Sequence, residues 1–565
     1  MKTDKKIEQL LKDTNLDNFS ALPDDFVFDP LAVNTMNLKQ EESNHEDNNF
    51  IKDLNEDFLH IPDKLTFTQT LDFAFPEEII EGISQVGEVI YIGDGVCKVV
   101  GLPKAKIEDI IIVKTQEGPV KALILGIDDS HIESVVMGDY TQIKQGDQVV
   151  LQNSKMTIPS GKNILGRVVN PLGEPIDGKG TIKAEEHRLV EFPAPPVLDR
   201  APILDPIQTG IMVIDTTIPI GKGQRELVIG DRKTGKTRLA MDIIANQKGK
   251  NVICVYVGIG TQAAKAKATM QFLAERGAME YTTMVITTSN DPPSLQYIAP
   301  YAGVAIAEHF MYKGKDVLII YDDLSKQAKA YRQVSLLLKR SPGRDAYPGD
   351  IFFLHSRLLE RASKVNEKLG GGSITALPIA ETQSGDVSDY IITNLMSITD
   401  GHIYLDANMM HEGILPAVNS GTSVSRIGSK VQVSLMKKVG ELASRALARY
   451  NEVKSFETIN TEVSEDTLRD INRGKRVMEI FSQDSKHNLS EDEQIVILHL
   501  ATSGKLDDME LAEFPNFKKN FLEFYRKNTN ENFKDLCHKA KDLTEINDYV
   551  ERLLEKYKKS GQQNN

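Results

Sequence analysis

Residues 226–246, ELVIGDRKTGKTRLAMDIIAN, read as strand, glycine-bounded loop and helix around a G-x-x-x-x-G-K-T core that runs from Gly230 to Thr237. The pattern is a phosphate cradle by its chemistry. Gly230 and Gly235 let the backbone turn its N–H groups inward, and the positive end of the following helix offers a favourable field to an anion. Lys236 has the reach for β- and γ-phosphates, and the Thr237 hydroxyl is a ligand type for Mg²⁺. At average Gly, Lys and Ser/Thr usage the bare pattern arises by chance about 0.02 times in a chain this long, so an ordinary glycine turn is the weaker reading. Asp231, Arg232, Lys233, Thr234, Gly235, Lys236 and Thr237 form the expected contact stretch for ATP or ADP.

Working outward, 565 residues exceed one core and suggest about three or four domains. No run approaches the ~20 apolar residues of a membrane span, and the opening MKTDKKIEQLLKDTN lacks an apolar signal region. Any membrane role is therefore expected to come through partners, with the chain itself cytoplasmic. Cys97, Cys254 and Cys537 lie far apart without metal spacing, which predicts buried reduced thiols.

The net charge of −14 is unevenly placed: residues 1–64 hold 7 Lys and 15 Asp/Glu, or −8, leaving −6 for the rest. Residues 1–75 read as an acidic extension, disordered or docking, with apolar islands at 26–33 (FVFDPLAV) and 58–67 (FLHIPDKLTF). Over 76–152 the pattern changes to short β runs, GEVIYI, GVCKVV, DIIIVK, VKALILGI and DQVVLQ, separated by turns. Such strands usually close into a small barrel. Nucleic-acid-binding barrels carry exposed aromatics and a basic groove, and this one has little of either, so a structural barrel with no nucleic-acid partner is expected.

Residues 153–430 alternate strand and helix. RELVIG, NVICVYVGI, YTTMVITTS, DVLIIYDD, SITALPIAET and GHIYLDAN predict an α/β domain on a mainly parallel sheet. VLIIYDD is an apolar strand ending in carboxylates; Asp322 is the candidate to sit near Mg²⁺ and water, against the plainer reading of a helix-capping aspartate. From 431 to 565 the chain reads as a helical bundle. MKKVGELASRALARYNEV and EDEQIVILHLAT have 3.6-residue periodicity, the second introduced by Ser490 and Glu493 at capping-box spacing.

Four stretches, PIGKGQRELVIGDRKTGKT (219–237), LIIYDDLSKQAKAYRQVSLLLKRSPGRDAYPGDIFFLHSRLLERA (318–362), ETQSGDVSDYIITN (381–394) and PAVNSGTSVSRIGS (416–429), resemble the alpha subunits of F-type rotary ATPases, the ATP synthases. The resemblance runs from about Gly87 to Glu510. It implies an N-terminal β-barrel, a central P-loop, RecA-like sheet domain and a C-terminal helical domain, assembled as a ring of three alpha and three beta subunits around a central shaft. Such rings are peripheral at the cytoplasmic face of the membrane.

The resemblance also assigns chemistry. Beta-type subunits carry a water-orienting carboxylate just after the strand that follows the phosphate loop; here Thr261 and Gln262 stand there, and neither is a base. A nucleotide-binding subunit without turnover is implied. Arg426, in SVSRIG, matches the arginine finger that alpha subunits direct at the neighbouring beta site, where such fingers contribute about 10³ to 10⁵ in rate. Ser397, in NLMSITDGH, matches another residue near that interface. Departures are equally specific: Lys233 replaces a glutamine, Met410 and Leu415 replace an aromatic and an arginine that hold the nucleotide, and of two glutamines only Gln483 is kept, the other being Ser485. Two function classes follow. One is a proton-coupled ATP synthase; the other is a specialised ATP-hydrolysing motor, like the F-type-like ATPases linked to gliding in mycoplasmas, whose extra partner would dock on the acidic extension in place of, or beside, a stalk. A hexameric RNA translocase shares the ring fold and is disfavoured by the barrel.

Overall fold

Short strands joined by turns leave unpaired edges unless the sheet closes, and in the computed structural model of this chain it does. The structure describes residues 86–457, 465–483 and 489–562; the acidic extension with its apolar islands, and Ser485, lie outside the described residues. The barrel is built from β1 (Val86–Gly93), β2 (Val96–Val100), β3 (Asp109–Thr115), β4 (Gly118–Ile127), β5 (Ile132–Val136) and β6 (Gln148–Lys155), closed in the order β1-β2-β5-β4-β3-β6. Val89, Cys97, Val99, Ile111, Ile124 and Val149 fill its interior. Five strands carry the five expected runs. The sixth, β5, reads IESVV, and its two polar residues hide it from an apolar pattern. Both are matched across the ladder with β2: the buried Ser134 hydroxyl donates to Cys97 O at 2.8 Å, and Glu133 pairs with Lys98 at 3.2 Å.

The chain leaves the barrel through β7 (Thr157–Ser160), β8 (Val168–Val169), β9 (Glu186–Leu189), β10 (Pro206–Ile207), α1 (Met212–Thr217) and β11 (Ile220–Gly221). The alternating region follows: β12 (Leu227–Asp231), α2 (Lys236–Ala245), β13 (Val252–Thr261), α3 (Ala263–Glu275), β14 (Thr282–Thr288), α4 (Pro293–Met311), β15 (Asp316–Asp322), α5 (Leu324–Leu337), α6 (Ile351–Leu359), β16 (Ser373–Thr382), α7 (Tyr390–Ile398), β17 (Gly401–Leu405), α8 (Ala407–His411) and β18 (Val424–Ser425). Eight strands form one sheet in the order β18-β17-β12-β16-β15-β13-β14-β8, parallel except where β18 runs against β17. All six expected strands are present. The additions, β8 and β18, are edge strands of two residues, too short to carry a period. Helix α4 is buried from Ser294 to Met311 except at Gln296, and its one buried acid is answered in kind: Arg361 donates to both Glu308 oxygens, at 2.6 and 2.8 Å, and to Val190 O at 2.6 Å.

The C-terminal part is helical: α9 (Ser434–Glu457), α10 (Glu465–Phe481), α11 (Glu491–Thr502), α12 (Phe514–Asn528), α13 (Glu531–Lys539) and α14 (Thr544–Gln562). One expectation is corrected here. Helix α11 is buried on every side from Asp492 to Ala501, where its 3.6-residue period predicts a one-sided helix. It is enclosed by its neighbours, which partner three of its polar residues: Tyr525 Oη donates to Asp492 at 2.7 Å, Arg526 to Glu493 at 2.6 Å, and His499 hydrogen-bonds Asn547 at 2.6 Å. Glu493 also accepts from Ser490 N at 3.0 Å, as the capping spacing requires. The three cysteines are buried thiols, and burial pushes Cys97 and Cys537 up to about 12. No helix among the described residues is long and apolar enough to cross a membrane.

Candidate nucleotide-binding site

Strand β12 delivers the loop to the C-terminal edge of the sheet between β17 and β16, where parallel α/β sheets place their ligands. Gly235 precedes α2 with φ +94°, and a Cβ there would meet nothing within 4 Å, so the left-handed backbone rather than lack of room calls for glycine. Lys233 also sits at positive φ, +68°, with its side chain exposed beside that of Arg232. The Lys236 ammonium folds back on the loop, donating to Gly230 O at 2.7 Å and Asp231 O at 2.5 Å. Burial lowers its pKa, and the carboxylates of Glu381, Asp323, Asp322 and Asp231 oppose that effect. Thr234 Oγ1 donates to Asp231 O at 2.8 Å. The Asp231 carboxylate is a strap: it accepts from Thr382 Oγ1 at 2.7 Å and Gly385 N at 2.8 Å, tying the loop to the end of β16.

The two acids at the end of β15 divide the roles that the sequence left open. Asp323 caps α5, accepting from Lys326 N at 2.8 Å. Asp322 faces the loop, and its Oδ2 accepts from Thr237 Oγ1 at 2.6 Å and from Tyr256 Oη at 2.8 Å. Burial and the Asp322 carboxylate push the Tyr256 phenol well above its ordinary value, which keeps it a donor. A third donor arrives from α3: Lys265 Nζ lies 2.9 Å from Thr237 Oγ1 and 3.3 Å from Asp322 Oδ2. Thr237 and Asp322 are the hard oxygen donors expected for Mg²⁺, Asp322 through water. With an ammonium against both oxygens, the arrangement does not fit a divalent cation beside them. Sequence reading missed Lys265; the available signal was a cation in the first turn of a helix, where the helix field disfavours positive charge.

At the end of β13, the Thr261 hydroxyl turns into the sheet and donates to Thr287 O at 3.2 Å, while Gln262 is the exposed residue before α3. The residues expected to hold the base are also occupied differently. Met410 and Leu415 are exposed apolar side chains. Gln483 clips two segments together: its Nε2 donates to Gly210 O at 2.8 Å, its Oε1 accepts from Met212 N at 3.1 Å, and its backbone N donates to Leu415 O at 2.7 Å.

Arg426 and Ser397 are brought together, away from this loop. Both are exposed; the Arg426 guanidinium reaches Met396 O at 3.4 Å, next to Ser397, whose hydroxyl donates to Asn394 O at 2.7 Å. Ser425 pairs with Gly401 at the start of β17, and His402 lies beside Leu227 at the start of β12. Arg426 is thus at the N-terminal edge of the sheet. From the level of Glu226 to Asp231, where the loop begins, five residues of strand span roughly 16 Å, beyond the reach of an arginine side chain.

Comparison with known proteins agrees with this architecture. The ATP synthase alpha/beta family, nucleotide-binding domain, matches residues 210–425, and the ATP synthase alpha/beta chain, C terminal domain, matches residues 432–559. The chain is 45% identical over 473 residues to the ATP synthase subunit alpha of Petrotoga mobilis, across 84% of this chain and 93% of that one. It is 46% identical over 475 residues to the ATP synthase subunit alpha of Caldanaerobacter subterraneus, with the same coverage.

Proposed function

We propose that this chain, which belongs to the ATP synthase alpha/beta family, is the non-catalytic nucleotide-binding subunit of a rotary ring and serves the catalytic site of its neighbour. The observation that carries the proposal is the separation of Arg426 from its own phosphate loop by the length of a β-strand. An exposed guanidinium at that edge has no ligand within its own chain to act on, and a ring that alternates this subunit with a beta-type subunit presents the edge to the next phosphate site. There Arg426 stabilises the charge on the transferring phosphoryl group, and Ser397 beside it lies at the same interface.

The chain's own site holds ATP or ADP: Lys236 and the inward N–H groups of residues 231–237 take the phosphates, with Arg232 and Lys233 at the rim. No carboxylate stands at Thr261 or Gln262 to orient water, so the bound nucleotide is kept rather than hydrolysed. The ring comprises three such subunits and three of beta type around a shaft, reaches the membrane only through partners at its cytoplasmic face, and couples ATP turnover to proton transport. A second reading, a motor that works on something other than protons, is supported by the acidic extension and by the replacement of the base-holding residues with Met410 and Leu415.

The test is turnover with and without a beta-type partner. The purified chain alone should hydrolyse no ATP, and the reconstituted ring should. Hydrolysis by a verified partner-free preparation, abolished by Lys236→Ala, refutes the assignment. Membrane ring subunits in the native assembly mark the synthase, and their absence marks the motor.

A further inference from the structure

We propose that Lys265 is a resident cation of the phosphate site, standing where a magnesium ion would otherwise be held, so that this subunit binds ATP or ADP without a divalent ion. The inference rests on the nucleotide-site reading above and concerns how that site balances charge.

Magnesium requires hard oxygen ligands at about 2.0–2.1 Å in near-octahedral array and keeps several of its waters. Here the side-chain oxygens on offer are Thr237 Oγ1 and Asp322 Oδ2, and Lys265 Nζ lies within hydrogen-bonding range of both, at 2.9 and 3.3 Å. Asp322 Oδ2 already accepts from Thr237 and from Tyr256, so with Lys265 three donors converge on that oxygen, and the ammonium takes the approach that a metal would need. A divalent ion entering this point would also face an ammonium at contact distance.

The position of Lys265 on its helix strengthens the case. It stands in the first turn of α3, where the unsatisfied N–H groups make a positive field that disfavours a cation. Its side chain is 44% exposed, so it could turn to solvent at no steric cost. It is instead directed inward to the carboxylate and the threonine hydroxyl at the mouth of the loop. With nucleotide present, Lys236 from the loop and Lys265 from α3 bring two ammonium groups to the phosphates. A site without a base at Thr261 or Gln262 does not need a metal to activate phosphoryl transfer; it needs only enough positive charge to keep the nucleotide.

The experiment is calorimetric titration of the full-length chain with ATP, once in Mg²⁺ and once in excess EDTA, with a parallel Mn²⁺ titration of the ATP complex followed by electron paramagnetic resonance. The wild-type Kd should agree within about threefold between the two buffers, and ATP binding should bring no stoichiometric Mn²⁺ with it. Lys265→Thr, at a half-exposed position that tolerates substitution, should lose about tenfold or more in EDTA, regain affinity in Mg²⁺, and hold one Mn²⁺ per nucleotide. A wild-type affinity that falls tenfold in EDTA, or one-to-one Mn²⁺ in the wild-type complex, overturns the role of Lys265 and leaves the nucleotide site standing. The Mn²⁺ readout on the wild type decides this without the variant. No ATP binding by either protein in either buffer refutes the nucleotide-site reading and this inference together.

Discussion

Replacing Arg426 by lysine in the assembled ring should separate catalysis from stability cleanly. The guanidinium is exposed, and its hydrogen bond to Met396 O is long, at 3.4 Å; the 2.8 Å bond from Arg426 N to Asp400 O belongs to the backbone and survives the change. Lysine also keeps the positive charge near the buried Glu226, whose carboxyl burial pushes up and Arg426 partly draws down. Folding stability should therefore change by less than about 0.5 kcal/mol, as for an ordinary surface substitution. Turnover is another matter. An ammonium lacks the planar fork that meets two phosphoryl oxygens at once, and loss of such a finger removes about 10³ in rate, equivalent to about 4 kcal/mol of transition-state stabilisation. The assay is steady-state ATP hydrolysis by the ring reconstituted with its beta-type partner, with thermal unfolding and size-exclusion profiles of the same preparations. Turnover within about threefold of wild type would remove Arg426 from the neighbour's site, and a loss that tracks unfolding or failed assembly would make its role structural.

Glu308→Gln should destabilise the chain by about 3–5 kcal/mol in chemical denaturation, because it leaves the Arg361 guanidinium buried, 1% exposed, without its countercharge; a change under 1 kcal/mol would show that water enters to replace it. His355 is fully enclosed, and burial lowers its pKa to about 4, against about 6.5 in the unfolded chain. The folded state thus resists protonation, so its contribution is complete above pH 6.5 and is lost as pH falls from 6.5 through 4, by about 3 kcal/mol in all. The stability of wild type relative to His355→Leu should fall by about 3 kcal/mol over that window, and a pH-independent difference would refute the shift. Deleting residues 1–64 should leave the ring's ATPase rate unchanged while one specific protein disappears from the native assembly; retention of every partner would leave this stretch a solvated tail.

Local chemistry determined much of this protein before any contact was known. Glycines spaced about a lysine and threonine at 230–237, an apolar strand closed by Asp322 and Asp323, and a 3.6-residue period after Val431 each report on a few neighbouring residues, and so they survive translation into one dimension. The same locality explains what stayed hidden. Strand β5 is recognisable only opposite β2, which satisfies Ser134 and Glu133. The enclosure of α11 depends on which helices surround it, a matter its own period cannot express. Lys265 meets Thr237 across 28 residues and Asp322 across 57, and Gln483 reaches Gly210 across 273, so the partners of neither residue are written in its neighbourhood; the helix-start position of Lys265 marks it only as a cation out of place. The motif around Arg426 suggested what that residue does, while its place at the far edge of the sheet from its own loop came from the pairing of β18 with β17 and of β17 with β12. Hydrogen-bond register between strands distant in sequence set that geometry, and it is a property of the folded chain alone.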